Sequence, residues 1–143
     1  MHPHAAVVAA GWGADPGAFR SRALRADLVA GAGLVLAASR RERAACVALA
    51  PGAMRRTFTL RQFARLADAA TDPAYPITTP PPADRLEAAV SAAARARDRL
   101  QPVDAEQDDL ADPIGQPLAA FHRCAGEIEA ALAPTVRLIA ACG

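Results

Sequence analysis

Twice in this chain a short apolar run ends directly on a helix-opening signature, and this repetition constrains the fold more than any other feature. Gly33-Leu34-Val35-Leu36-Ala37-Ala38 is continuous and bounded by Gly and Ser, the pattern of a parallel strand covered on both faces. Ser39-Arg40-Arg41-Glu42 follows, with Ser at the N-cap and Glu three positions later, the capping-box spacing. The helix it opens should run to about Ala50, where Pro51-Gly52 stops it. Met54 to Phe58 is the second candidate strand. Thr59-Leu60-Arg61-Gln62 repeats the capping spacing and opens a helix with Leu60, Phe63 and Leu66 on one face. Strand, helix, strand, helix with short joints is the order of an α/β protein, a parallel sheet flanked by helices in three layers.

The rest of the chain supplies helices and loops. His4 to Ala10 reads as a short Ala/Val helix, and Gly11 to Gly17 as a loop punctuated by Gly and Pro. Ala26 to Ala30 suits another short helix. Thr71 to Pro82 is proline-rich and reads as a loop or hinge. Asp84 and Glu87 begin a helix that should reach Leu100 with a thin apolar stripe of Leu86, Val90, Ala93 and Leu100. Gln101 to Pro113 is acidic and expected as loop. Pro117 suits the first position of a helix carrying Leu118, Phe121, Ala125, Ile128 and Leu132, and Pro134 should break or kink it. Only two strands result, and two parallel strands leave unpaired edges, so part of such a sheet is missing here or is supplied from elsewhere.

Composition narrows the function classes. With 143 residues, one domain spanning 1–143 is expected. All 16 basic residues are Arg, and the net charge of +1 makes the chain no overall attractor of nucleic acid or membrane. Charge is nonetheless segregated. Arg40, Arg41, Arg43, Arg55, Arg56, Arg61 and Arg65 face only Glu42 in their stretch, while Asp98, Asp104, Glu106, Asp108, Asp109 and Asp112 face only Arg99 in theirs. Cys46, Cys124 and Cys142 form no CxxC pair and no disulfide framework, which points to a reducing cytoplasm. The apolar run Leu28–Ala38 is too short to span a bilayer, and no signal-peptide pattern opens the chain.

Four stretches, in their order, resemble the low-molecular-weight protein tyrosine phosphatases of the actinobacterial type. They are Gly13 to Arg22, Ala26 to Ser39, Leu49-Ala50-Pro51 through Leu60, and Asp109-Leu110-Ala111-Asp112-Pro113-Ile114-Gly115, the last resembling the family's Asp-Pro loop. The resemblance implies a four-stranded parallel sheet of which about two strands are present here, a phosphotyrosine phosphatase I-like fold, and hydrolysis of phosphotyrosine protein substrates through a cysteinyl-phosphate without metal or organic cofactor. It also implies a Cys-x5-Arg phosphate loop, whose N–H groups and helix N-terminus cradle the dianion and lower the thiol pKa. That loop is absent: six places after Cys46 stands Gly52, after Cys124 stands Ala130, and Cys142 has no such successor. The match begins with Met1-His2-Pro3 at an internal segment of the family. An N-terminally truncated domain is therefore expected, through a misassigned start or as a remnant, inactive as written because nucleophile and phosphate-binding Arg are missing.

Asp112 alone can be carried over, as general acid toward the leaving phenolate. Its plainer reading is an Asp-Pro turn, with the carboxylate accepting a backbone N–H. Ile114 departs from the aromatic residue usual after Asp-Pro in the family. Asp108 and Asp109 read as a solvated acidic loop, and Cys46 and Cys124 as ordinary core thiols. His2-Pro3-His4 reads as a fraying terminus rather than a metal site, and His122 as a surface residue. Gly31-Ala32-Gly33 lacks the third Gly of a dinucleotide fingerprint. The Arg group reads as the solvated faces of two helices. Two alternatives stay open beside the phosphatase reading: a non-catalytic Arg-rich module binding an acidic partner or, less in keeping with so few aromatics, nucleic acid, and a relative of the arsenate reductases. The Asp112-Pro113 pair favours the phosphatase over the latter.

Overall fold

A computed structural model describes residues 1–72, 74 and 84–142. Most of the expected hinge at Thr71–Pro82 lies outside the described residues. In chain order the elements are α1 (Pro3–Gly11), α2 (Ala26–Gly31), β1 (Val35–Ala37), α3 (Arg40–Leu49), β2 (Thr57–Thr59), α4 (Leu60–Ala70), α5 (Arg85–Ala96), α6 (Ala105–Asp108) and α7 (Leu118–Ala141), with 3-10 turns at Pro51–Arg56 and Arg97–Arg99. The molecule is mostly helical around a small two-stranded parallel sheet, compatible with an incomplete α/β fold.

The two strands pair in parallel, Val35 opposite Thr57 and Ala37 opposite Thr59. Side chains alternate across the sheet. Val35 faces a small cluster of Val29, Cys46, Ala50 and Ala53 on the α2–α3 side. Leu36 and Phe58 face the other way, toward the larger core of α4, α5 and α7. Phe58 and Phe63 meet edge to face at 5.1 Å and are both fully buried. The second strand is displaced from its expected position at Met54–Phe58. Residues Pro51–Arg56 wind into a 3-10 turn instead, and the strand is Thr57–Thr59. Thr57 explains the shift: its Oγ1 donates to the Ala53 carbonyl at 2.8 Å, which closes the turn and starts the strand in one residue.

Both cap signatures form, to different degrees. Ser39 Oγ accepts from Glu42 N, and Glu42 Oε2 accepts from Ser39 N and Ala38 N, a complete capping box. Thr59 Oγ1 accepts from Gln62 N at 3.1 Å, but Gln62 does not reciprocate, and its Oε1 is buried without a hydrogen-bond partner. Such an orphan costs about 1–3 kcal/mol.

Three helical expectations are corrected. Of the expected Leu86–Val90–Ala93–Leu100 stripe, only Ala93 belongs to the fully buried face of α5, and Val90 packs against the core while partly buried. That face is Ala88, Ala89, Ala92, Ala93 and Ala96, while Leu100 lies exposed past the helix end. A face of alanines lets α4 and α5 approach closely, which larger side chains would prevent. Of the break or kink expected at Pro134, the break does not occur: α7 runs unbroken from Leu118 to Ala141. Pro134 is itself buried beside Thr135 and Leu138, so apolar burial offsets a proline cost of about 3 kcal/mol. The terminus expected to fray is docked on the last helix. His2 Nδ1 accepts from His4 N at 3.2 Å, and the His2 ring stacks on Phe121 of α7 with centroids 4.7 Å apart.

No helix among the described residues is long and apolar enough to cross a membrane.

Candidate functional site

In an open parallel sheet, ligands are taken at the carboxyl ends of the strands. Here that edge is built by the starts of α3 and α4 and by the segment from Val103 to Gln116. The acidic segment is not the solvated loop expected from its composition. Residues Ala105–Asp108 form one helical turn, and Asp108 is buried at 3% exposure. Asp108 Oδ2 accepts from Arg40 Nε and Nη2 at 2.8 and 2.7 Å, and Oδ1 from Arg65 Nη2 at 2.5 Å. Asp109 Oδ1 accepts from Arg40 N at 2.7 Å, satisfying one more orphan donor at the start of α3. Leu110 N then donates to the Ala38 carbonyl at 2.8 Å, just past the end of β1. Three consecutive residues thus clamp the acidic segment to the strand end.

The clamp changes the reading of the Arg group. Arg40, Arg43, Arg56, Arg61 and Arg65 are not simply solvated. Arg43 Nε donates to the Thr57 carbonyl, Arg56 to the carbonyls of Ala30, Ala32 and Gly52, and Arg61 Nη2 to Glu127 Oε2. Burial, followed by the charge of Arg97, holds the Arg43 guanidinium below its ordinary pKa, while Asp108 opposes this. These arginines tie segments together through carbonyls and carboxylates, the use to which a five-donor planar head is suited.

Asp112 sits beyond the clamp on an exposed turn. Its Oδ1 accepts from Ile114 N at 2.9 Å, and Gln116 N closes the turn onto the Pro113 carbonyl at 2.9 Å. Gly115 at φ +80° occupies the third position, which a type II turn reserves for glycine. The carboxylate therefore has one oxygen engaged in the turn and the other directed to no protein donor among the described residues. Beside it runs an apolar groove of about 400 Å³ between α1 and α7, lined by Val8, Trp12, Pro113, Ile114, Phe121 and Ile128 among others. Trp12 and Ile114 are 54% and 68% exposed.

Cys124 also lines this groove, so it is not the plain core thiol expected from its helical position. It is half-buried. Burial first, then the carboxylates of Glu127 and Asp112, push its thiol above the ordinary value. A thiol so placed stays protonated near neutral pH and makes a poor nucleophile. Cys46 and Cys142 are buried in the core. His122 is exposed, as expected. Among the described residues, no group of three or more His, Cys, Asp or Glu is arranged to hold a metal ion. The arrangement offers an exposed carboxylate at Asp112 and an apolar wall beside it. Among the described residues it brings no thiolate and no backbone phosphate cradle to the same place.

Asp108 and Arg97 are the residues that reading the sequence missed. Neither spacing nor composition separated Asp108 from the acids around it.

Comparison with known proteins gave no matching family model, no matching curated protein and no matching solved structure.

Proposed function

We propose that this chain carries the general-acid portion of a low-molecular-weight protein tyrosine phosphatase-like domain, with Asp112 as the acid. The observation that carries the reading is the docking of the Asp112-Pro113 turn at the carboxyl edge of a parallel strand pair, secured by Leu110 N on the Ala38 carbonyl. A general acid on such a loop can reach a leaving oxygen held above the strand ends, and the groove beside it can accept the ring of a phenolic leaving group. Ile114 and Trp12 would then be the walls that meet that ring. The substrate on this reading is a phosphotyrosine protein, and the reaction is phosphomonoester hydrolysis through a cysteinyl-phosphate, with no metal or organic cofactor. The nucleophile and its Arg would come from a Cys-x5-Arg segment that these 143 residues do not contain. Alone they should turn over no phosphotyrosine, because the anion-stabilising donors that supply most of the rate are missing.

The intact mass of the protein from its source organism is the first test. A mass several kDa above 14.8 kDa, with a Cys-x5-Arg segment in the added sequence, is expected. Phosphotyrosine hydrolysis by that longer chain should then fall by about 10²–10⁴-fold in Asp112→Ala. A native mass of 14.8 kDa with no hydrolysis overturns the reading.

A further inference from the structure

A second cleft shares no lining residue with the groove beside the Asp112 turn, and its charge is not balanced. It has a volume of about 320 Å³, within the lower range of small-molecule sites. Arg40, Arg65 and Arg97 line it, with Asp108 as the carboxylate among them. Asp108 is already committed to Arg40 and Arg65. The Arg97 guanidinium makes no ion pair or hydrogen bond among the described residues, although its backbone bonds to Ala94 and Leu100. The guanidinium instead lies 5.4 Å from the centre of the Phe58 ring, so it is positioned by cation–π contact with its N–H donors unmatched. The nearby Arg43 is spent on the Thr57 carbonyl and adds further positive charge. The remaining walls are apolar, from Leu66, Leu100 and Pro102. Gln62 lines the same cleft, and its buried Oε1 lacks a partner, so the chain does not by itself satisfy every polar group of this wall.

From these features we infer that the cleft binds a small organic phosphate: the phosphate meets the Arg97 guanidinium beside Arg40 and Arg65, and a short apolar body lies on Leu66, Leu100 and Pro102. Planar guanidiniums in a partly desolvated cleft favour phosphate oxygens, and the apolar walls give an organic ester an advantage over the free ion. The cleft is separate from the Asp112 turn, and this binding is independent of any phosphatase activity.

The test is calorimetric titration of the full 143-residue chain with phenyl phosphate and with inorganic phosphate, at fixed ionic strength. One-to-one binding of phenyl phosphate is expected, at least tenfold tighter than inorganic phosphate. Arg97→Gln should weaken it at least tenfold with an unchanged melting temperature. Leu100→Asp, at an exposed position, should abolish it by placing a carboxylate on the wall. Arg41→Gln and Asp112→Asn should leave it unchanged. Absence of saturable binding overturns the inference, as does equal loss in Arg41→Gln, which would mark diffuse attraction to surface arginines. Equal affinity for the two probes overturns the organic part and leaves a site for free phosphate. Loss in Asp112→Asn alone would move the ligand to the Asp112 groove.

Discussion

Asp108 and Asp112 stand four residues apart in one acidic run, yet the fold uses them in opposite ways. Asp108 is 3% exposed and receives three charged hydrogen bonds from two arginines that lie far away in sequence. Asp112 is exposed and, among the described residues, bonds only to the amide of Ile114, two residues on. The first carboxylate joins α3, α4 and the acidic segment. The second shapes a turn and keeps an oxygen available. Residue type and local composition are the same, so the difference comes from what the rest of the chain brings within reach. A carboxylate committed on both oxygens holds structure, and one with a free oxygen can do chemistry.

The contrast is broken most forcefully at Asp108. Asp108→Asn should destabilise the protein by about 2–3 kcal/mol in urea unfolding, somewhat less than the loss of a fully enclosed pair, because Arg40 and Arg65 retain 44% and 35% exposure. A change below about 0.5 kcal/mol would mean that the clamp does not hold the strand end. Ser39→Ala removes the side-chain half of the α3 capping box at the same edge and should cost about 1 kcal/mol by the same measurement. Gly115→Ala forces a Cβ into φ +80° and should cost about 1 kcal/mol, with hydrogen exchange accelerating at Ile114 and Gln116 but not at Leu110. Asp112→Asn should change stability by less than about 0.5 kcal/mol, the smallest effect in the series, since an Asn can keep the turn bond. Its trace should appear at Cys124 instead. The thiol there is held above its ordinary pKa by burial, by Glu127 and by Asp112, so thiolate forms only at higher pH. Alkylation of Cys124, followed by peptide mass mapping, should rise at a higher pH than for an exposed thiol, and the midpoint should move down in Asp112→Asn. An unmoved midpoint would separate the two residues electrostatically.

Local signals carried much of this fold. The Ser39–Glu42 box forms in full because both partners lie within one turn of helix. The Asp84 cap and the Asp112 turn form for the same reason, each closed by atoms within three residues. Strand β1 falls inside its expected run, and the parallel pairing follows from a helix crossing between two strands. Where local readings went astray, a distant partner decided. The choice of the alanine face of α5 belongs to α4, whose Phe63, Leu66, Ala67 and Ala70 share that core. Pro134 stays helical because the core around Leu138 encloses it.

The amino-acid sequence by itself therefore determined the order of strands and helices, the starts of α3, α4 and α5, and the turn that presents Asp112. Each depends on contacts across a few residues, whose energies are written in neighbouring side chains. Only the tertiary structure decided which aspartate is buried, which arginines are paired and which helix face is core. The helix face depends on residues some tens of positions away, and the aspartate clamp on groups more than forty positions apart, as Arg65 is from Asp108 and Arg40 from Asp109, meeting where desolvation makes a charge either paired or untenable.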